Sequence, residues 1–304
     1  MKNLIKLFIC FFVLFLMLNN SLIVQNSVIY AISLTYTNII PFLFPFFIIS
    51  DILKNYGFVH LLVKIFRKPF FYLFNVSPYG CYVFFLSILQ GCPGNSKIIK
   101  DLLDDDLINE EDANNILVFT QFVSPLFIIG TLSLMFDKKI AFLILISHYV
   151  SNILVGFLFK PKNKNINEIK KLQTLPFNKV LIISINKSVS TILLIIGVIT
   201  TFSVITDLIL LFDFNIYFKY ILVGVLEITK GIQYINILNI PLLTKYLIVV
   251  FFLSFGGISI HMQVFSILDK YNIDYKKYLS SRVIHGIMSI LLLLLLMMID
   301  CHLI

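Results

Sequence analysis

Apolar residues gather in long blocks along this chain, and polar residues are confined to the breaks between them. A helix needs roughly 20 apolar residues to cross a bilayer. Blocks of that order run over Leu4–Leu18, Val28–Ile52, Ile116–Phe136, Ile140–Phe159, Val180–Leu211, Leu242–Ile260 and Val283–Ile299, and each predicts a membrane helix. Val180–Leu211 exceeds one simple span, which predicts a tilt or an interfacial lead-in. The first block follows Lys2 and Lys6 as a signal peptide would. Neither Asn19-Asn20-Ser21-Leu22 nor the Phe8-Ile9 before Cys10 offers a cleavage site, so a retained first membrane helix is expected.

Two apolar segments are too short to cross. Tyr79–Leu89 runs into Gln90-Gly91-Cys92-Pro93-Gly94-Asn95-Ser96-Lys97, and Phe218–Leu226 runs into Glu227-Ile228-Thr229-Lys230-Gly231. Non-helical backbone cannot face lipid, because its N–H and C=O groups would go unsatisfied, but it can line a cavity enclosed by protein. Both segments therefore predict re-entrant hairpins, near 79–104 and 218–238.

The longest polar stretch, 160–179, splits the chain nearly in half and is rich in lysine: Lys160, Lys162, Lys164, Lys170, Lys171 and Lys179, with Asn165, Asn167 and Glu168 between. Placing it in the cytoplasm puts Lys54, Lys64, Arg67, Lys68, Lys270, Lys276, Lys277, Arg282 and the N-terminal lysines on the same side, as the positive-inside rule requires. The two hairpins then enter from opposite faces. The expected fold is an all-α polytopic membrane protein of two inverted-topology repeats, 1–159 and 180–304, joined by the 160–179 linker, with a solute site where the broken segments meet.

Composition agrees. Of 304 residues, 59% are hydrophobic and 13% charged, against about a quarter charged in soluble domains. The net charge of +8 is topological and not a nucleic-acid footprint, since no basic and aromatic stripe accompanies it. Cys10, Cys81, Cys92 and Cys301 are scattered, which excludes a disulfide framework or zinc site. No HExxH, Walker A or GxSxG motif is present, so neither an enzyme nor a cofactor is expected.

Four constellations carry candidate chemistry. In Gln90, Gly91, Pro93, Gly94, Asn95, Ser96 and Lys97, a sharp turn allows close backbone approach, Asn95 or Ser96 can cap a new helix, and its N-terminus with Lys97 attracts anions. The bland alternative is a plain loop. Glu227, Thr229 and Lys230 put a carboxylate at membrane depth, which needs either a partner, with Lys230 one turn away, or a watery cavity for solute or proton. Gly256 and Gly257, followed by Ser259, His261 and Gln263, either permit close helix packing or open the backbone. Ser124-Pro125, like Pro41 and Pro45, reads as a kink. Asp101, Asp104, Asp105, Asp106, Glu110, Glu111 and Asp112 read as a solvated loop, and His60, His148, His285 and His302 as isolated.

Pro41–Ile48, Gly91-Cys92-Pro93-Gly94 with Lys97, Ser124–Gly130, His148-Tyr149 with Asn152, Gly224–Gly231, Ser254–Gln263 and the Arg282–His285 region together resemble the YlbJ-type sporulation integral membrane proteins. These form part of a nucleoside-recognition gate group, distantly similar to concentrative nucleoside transporters. Cys92 departs from the aromatic expected at that turn. The resemblance implies endospore formation, with transport of dipicolinic acid from the mother cell across the outer forespore membrane. Its implied partners are a small anionic solute and the bilayer, with a coupling proton or sodium ion and self-association left open. Donors at Asn95, Lys97, Thr229, Lys230 and Gln263 would suit this planar dianion. Nucleoside transport, or a structural or recruiting sporulation role without transport, are the alternatives.

Overall fold

The structure, a computed structural model, describes residues 2–162 and 174–299. The linker positions Lys164, Asn165, Asn167, Glu168, Lys170 and Lys171 lie outside these residues, as do Cys301 and His302. Among the described residues the fold is helical throughout, without strands. Five helical stretches are long and apolar enough to cross a membrane, and large apolar side chains such as Phe8, Ile65, Leu193 and Leu291 cover the exterior. The chain has the make-up of an integral membrane protein.

The first half opens with α1 (Lys2–Asn19), then α2 (Ser21–Leu34), which passes through a π-helical turn (Thr35–Ile39) into α3 (Ile40–Asn55). Pro41 and Pro45 sit at the start and inside of α3 without breaking it. Next comes α4 (Phe58–Phe74), a helix that none of the apolar blocks predicted. Its Val59, Val63, Phe70 and Phe74 are buried while Lys64, Arg67 and Lys68 are exposed, an amphipathic helix laid on the body. The first hairpin follows as α5 (Gly80–Gln90) and α6 (Gly94–Asp104). The block 116–136 is no single kinked span: α7 (Glu110–Phe119) and α8 (Pro125–Leu132) are separate helices with extended chain at 120–124 between them. Then α9 (Lys138–Leu158) ends the half.

The second half opens with α10 (Phe177–Ile209), one continuous helix that absorbs the end of the 160–179 stretch. The second hairpin is α11 (Ile216–Leu226) and α12 (Ile228–Ile237). A broken helix follows, α13 (Leu242–Phe255) and α14 (Gly257–Ile267), and α15 (Tyr275–Ile299) closes the described chain. Gly256 at φ +90° and Gly257 at φ +63° make this break, in a left-handed conformation that only glycine adopts freely. Setting aside α1 and α4, which have no counterpart in the second half, the order of elements is the same in both: long helix, hairpin, broken helix, long helix.

These elements stack in layers. Ala31, Leu43 and Phe47 from α2 and α3 pack against Ile192, Ile195 and Ile199 of α10. On the far side α9, α13 and α15 pack together, close enough that a Cβ at Gly286 would sit 2.7 Å from the Phe251 ring. The hairpins and broken helices stand between, with α5, α11 and α14 touching the α3 and α10 layer.

Candidate functional site

Each hairpin tip rests on the broken helix of its own half. At the first tip the Cys92 N–H donates to Phe122 O (2.6 Å), and a Cβ at Gly91 would lie 2.7 Å from Ser124 N. At the second, a Cβ on Gly257 would lie 2.9 Å from Ile228 Cγ2 and 3.4 Å from Leu226 O. Only glycine allows these approaches.

The backbone freed at 120–124 is met by side chains from distant helices. His148 Nε2 accepts from the Val123 N–H (2.9 Å), Tyr149 Oη donates to Val123 O (3.0 Å), and Asn152 Nδ2 donates to Phe119 O (3.0 Å). Arg282 donates through Nη2 to Val118 O and to Asn152 Oδ1 (3.3 Å), and through Nη1 to His285 Nδ1 (2.9 Å). Because His148 Nε2 accepts, its Nδ1 carries the proton and donates to Ser254 Oγ (2.9 Å). His148 and His285 are therefore not isolated: their rings lie 4.8 Å apart, and Ser151, Ser254 and Ser289 link them across three helices. This answers the requirement that broken backbone at membrane depth find protein partners. His261 does the same for the second break, its Nε2 bonding Phe255 O at 2.8 Å. Arg282→Met would leave Val118 O and Asn152 without a donor, at roughly 1–3 kcal/mol for each orphaned group. A fall in unfolding temperature in detergent is the expected result, with the deficit undiminished in Arg282→Lys, which cannot span the same acceptors.

The two tips and the first break line a half-open cavity. Its wall comprises Gln90, Cys92 and Pro93 of the first tip, Val123, Ser124 and Phe127 of the first break, Glu227, Ile228 and Thr229 of the second tip, and Ile260 and Gln263 of α14. Opposite stand Leu34, Asn38, Ile39, Phe42, Leu43, Ile195 and Ile199. The cavity holds about 120 Å³, where a single water needs roughly 10–15 Å³, so it has room for a small solute.

Its depth follows from helix geometry. Lys187 and Asp207 stand 20 residues apart on α10, about 30 Å at helical rise, which matches the hydrocarbon thickness of a bilayer. Ile195 and Ile199 flank the midpoint. On the continuous stretch Ser21–Asn55, Ser27 bonds Asp207 (2.5 Å) at one end and Asp51 bonds Lys97 at the other, with Asn38 and Ile39 midway.

Of the residues expected at the site, Gln90, Pro93, Glu227, Thr229 and Gln263 reach the cavity. Gly91, Gly256 and Gly257 shape the breaks, and Gly94 packs on Gln90 and the Phe47 ring. Asn95 and Ser96 do not cap a helix: α6 starts at Gly94 with Pro93 as N-cap, and Asn95 turns to Thr120 Oγ1 (3.4 Å) while Ser96 bonds Asn95 (3.5 Å). Ser259 is buried against Gln263 Nε2 (3.4 Å). Lys97 does not face the cavity. It is ion-paired with Asp51 (2.6 Å) and Asp101 (2.9 Å), and Asp101 is paired in turn with Lys187 (2.7 Å). The acidic stretch is accordingly only part loop, since Asp101 and Asp112 are buried.

Lys230 likewise turns away. Its ammonium pairs with Asp207 (2.6 Å), donates to Ser203 O (3.1 Å) and lies 5.0 Å from the centre of the Tyr30 ring. Glu227 makes no pair with Lys230 Nζ; its carboxylate caps α12, accepting the N–H groups of Thr229 (3.1 Å) and Lys230 (2.7 Å). Sequence reading passed over Asn38, Cys92 and Phe127 as wall residues, and over Asp51 and Asp207 as partners of the lysines. Two aspartates inside apolar blocks were the available signal.

No family model matches the chain, and no solved structure does. The chain is 27% identical over 311 residues to the sporulation integral membrane protein YlbJ of Bacillus subtilis (strain 168), a match covering 88% of this chain and 76% of that relative. The resemblance to YlbJ-type proteins carried by its motifs is thereby shown.

Proposed function

We propose that the protein carries a small organic anion, dipicolinic acid, across the outer forespore membrane during sporulation. The observation that carries this reading is the cavity midway along the helices, walled by both hairpin tips, where discontinuous helices bring their ends to one solute. Three of those helices, α6, α8 and α12, begin at the cavity wall; α12 is capped by Glu227 and α8 by Ser124, whereas α6 starts without a side-chain cap, and such a helix N-terminus favours anions. The repeat of elements supports two inverted halves. So does the charge pairing: in each half a lysine near the start of the second hairpin arm meets an aspartate near the end of the preceding long helix, Lys97 with Asp51 and Lys230 with Asp207.

Nucleoside transport is the second reading. It is favoured by Glu227, the sole charged side chain in the wall, beside the amides of Gln90, Gln263 and Asn38. Counterflow in proteoliposomes separates the two. Saturable exchange of labelled dipicolinate and not of uridine is expected; uridine alone would select the second reading, and exchange of neither by folded protein would favour a structural role. A direct check of the cavity uses Cys92 as the one remaining thiol. Labelling by a small permeant thiol reagent should slow severalfold with saturating dipicolinate.

A further inference from the structure

The wall opposite the hairpin tips is built from α2, α3 and α10, and of its seven lining residues six are Leu, Ile or Phe. The exception is Asn38. It sits in the π-helical turn Thr35–Ile39, the one interruption of regular α-helix in the stretch Ser21–Asn55. In this turn the Ile40 N–H reaches back to Thr35 O, five residues away, which inserts an extra residue into the turn. Such turns concentrate at functional sites, because the extra residue re-aims its neighbours at a cost in helix stability. Asn38 is exposed and, unlike Thr35 and Thr37, whose hydroxyls bond Ala31 O and Ser33 O, it makes no hydrogen bond among the described residues. An amide at mid-membrane depth without a protein partner is costly unless water or solute supplies one.

Resting on the anion-transport reading above, we propose that Asn38 is the specificity-determining group of this wall: its amide N–H₂ donates to a carboxylate of the bound solute. The charge across the cavity agrees with this assignment. Glu227, whose carboxylate caps α12, makes the second hairpin tip a poor seat for a carboxylate, so one is better received on the Asn38 side. The π turn then has a purpose, since it brings the one polar side chain of this wall to the cavity.

The test is dipicolinate counterflow in proteoliposomes with Asn38→Leu and Asn38→Asp. Loss of a hydrogen bond to a charged group is expected to raise KM about tenfold or more in Asn38→Leu. Asn38→Asp, which sets a carboxylate against a carboxylate, should raise it further, with the maximal rate and unfolding temperature of both variants near the parent's. A residue that merely packed the helix would shift unfolding temperature instead. Unchanged KM in both variants, with exchange by the parent intact, overturns the role of Asn38 alone. No exchange of dipicolinate by the parent overturns the transport reading and this inference with it.

Discussion

Gly231→Ala is expected to abolish solute exchange and to lower the unfolding temperature more than any other single methyl addition to the hairpins. A Cβ at Gly231 would stand 2.1 Å from Gly224 Cα and 2.9 Å from Gly224 N. Both are backbone atoms, so no rotamer change relieves the overlap. Carbon atoms settle at roughly 3.5–4.0 Å, and α11 and α12 would have to part by about 1.5 Å. The same two arms hold Glu227 and Thr229 at the cavity, and the parted arms would also lose their seat against Phe252, 3.2 Å from the added atom. Ordinary overpacking costs about 1–3 kcal/mol, and backbone against backbone belongs at or beyond the upper end. Gly130→Ala is the control. It lies in α8 with nothing within 4 Å of its Cβ, and is expected to be neutral or stabilising by up to about 1 kcal/mol. Thermal unfolding in detergent and counterflow read both, and equal behaviour of the two variants would refute the close packing of the second hairpin.

Lys97→Met carries the second large effect, and through the fold instead of solute contact. Removing the ammonium leaves Asp51 and Asp101 facing each other in a buried setting, where Asp51 Oδ2 already lacks a partner. Breaking a buried pair by deleting one member costs about 3–5 kcal/mol. The double variant Lys97→Met with Asp51→Asn removes the orphaned charge, while Lys187 still compensates Asp101 at 2.7 Å. Much of the stability should return, and the KM for dipicolinate should match the parent's. A double variant that is stable but retains a raised KM would show that Lys97 meets the solute after all. Lys230→Met should cost less, because Asp207 keeps 19% of its side chain exposed and a hydrogen bond from Ser27.

The hairpins were legible because length, glycine and a buried acid speak locally. An apolar run of eleven residues ending in Gln90-Gly91-Cys92-Pro93-Gly94 cannot cross a bilayer, whatever surrounds it. The break at 120–124 was harder to read: Thr120, Gln121 and Ser124 lower the hydropathy, but the segment contains no glycine, and Ser124-Pro125 alone reads as a kink in one span. What permits it is remote: His148, Tyr149, Asn152 and Arg282 replace the lost helical hydrogen bonds from two other helices. The helix α4 was missed for the opposite reason. Its apolar positions Val59, Val63, Phe70 and Phe74 keep helical spacing, but its basic residues read as loop. Lys97 and Lys230 were not legible as structural residues because their partners, Asp51 and Asp207, lie 46 and 23 residues away in sequence.

The ion pairs between the layers are unevenly shared. Among the described residues, Lys54–Asp105, Lys97–Asp51 and Lys187–Asp101 fasten the first hairpin to the α3 and α10 layer, whereas Lys230–Asp207 alone fastens the second. The two ends of the cavity are therefore unequal in the work needed to part them. The singly fastened end is expected to part more readily than the triply fastened one. On the transport reading proposed above, that inequality predicts an order of opening written in the charges, with readier access to the solute's place from one face of the membrane.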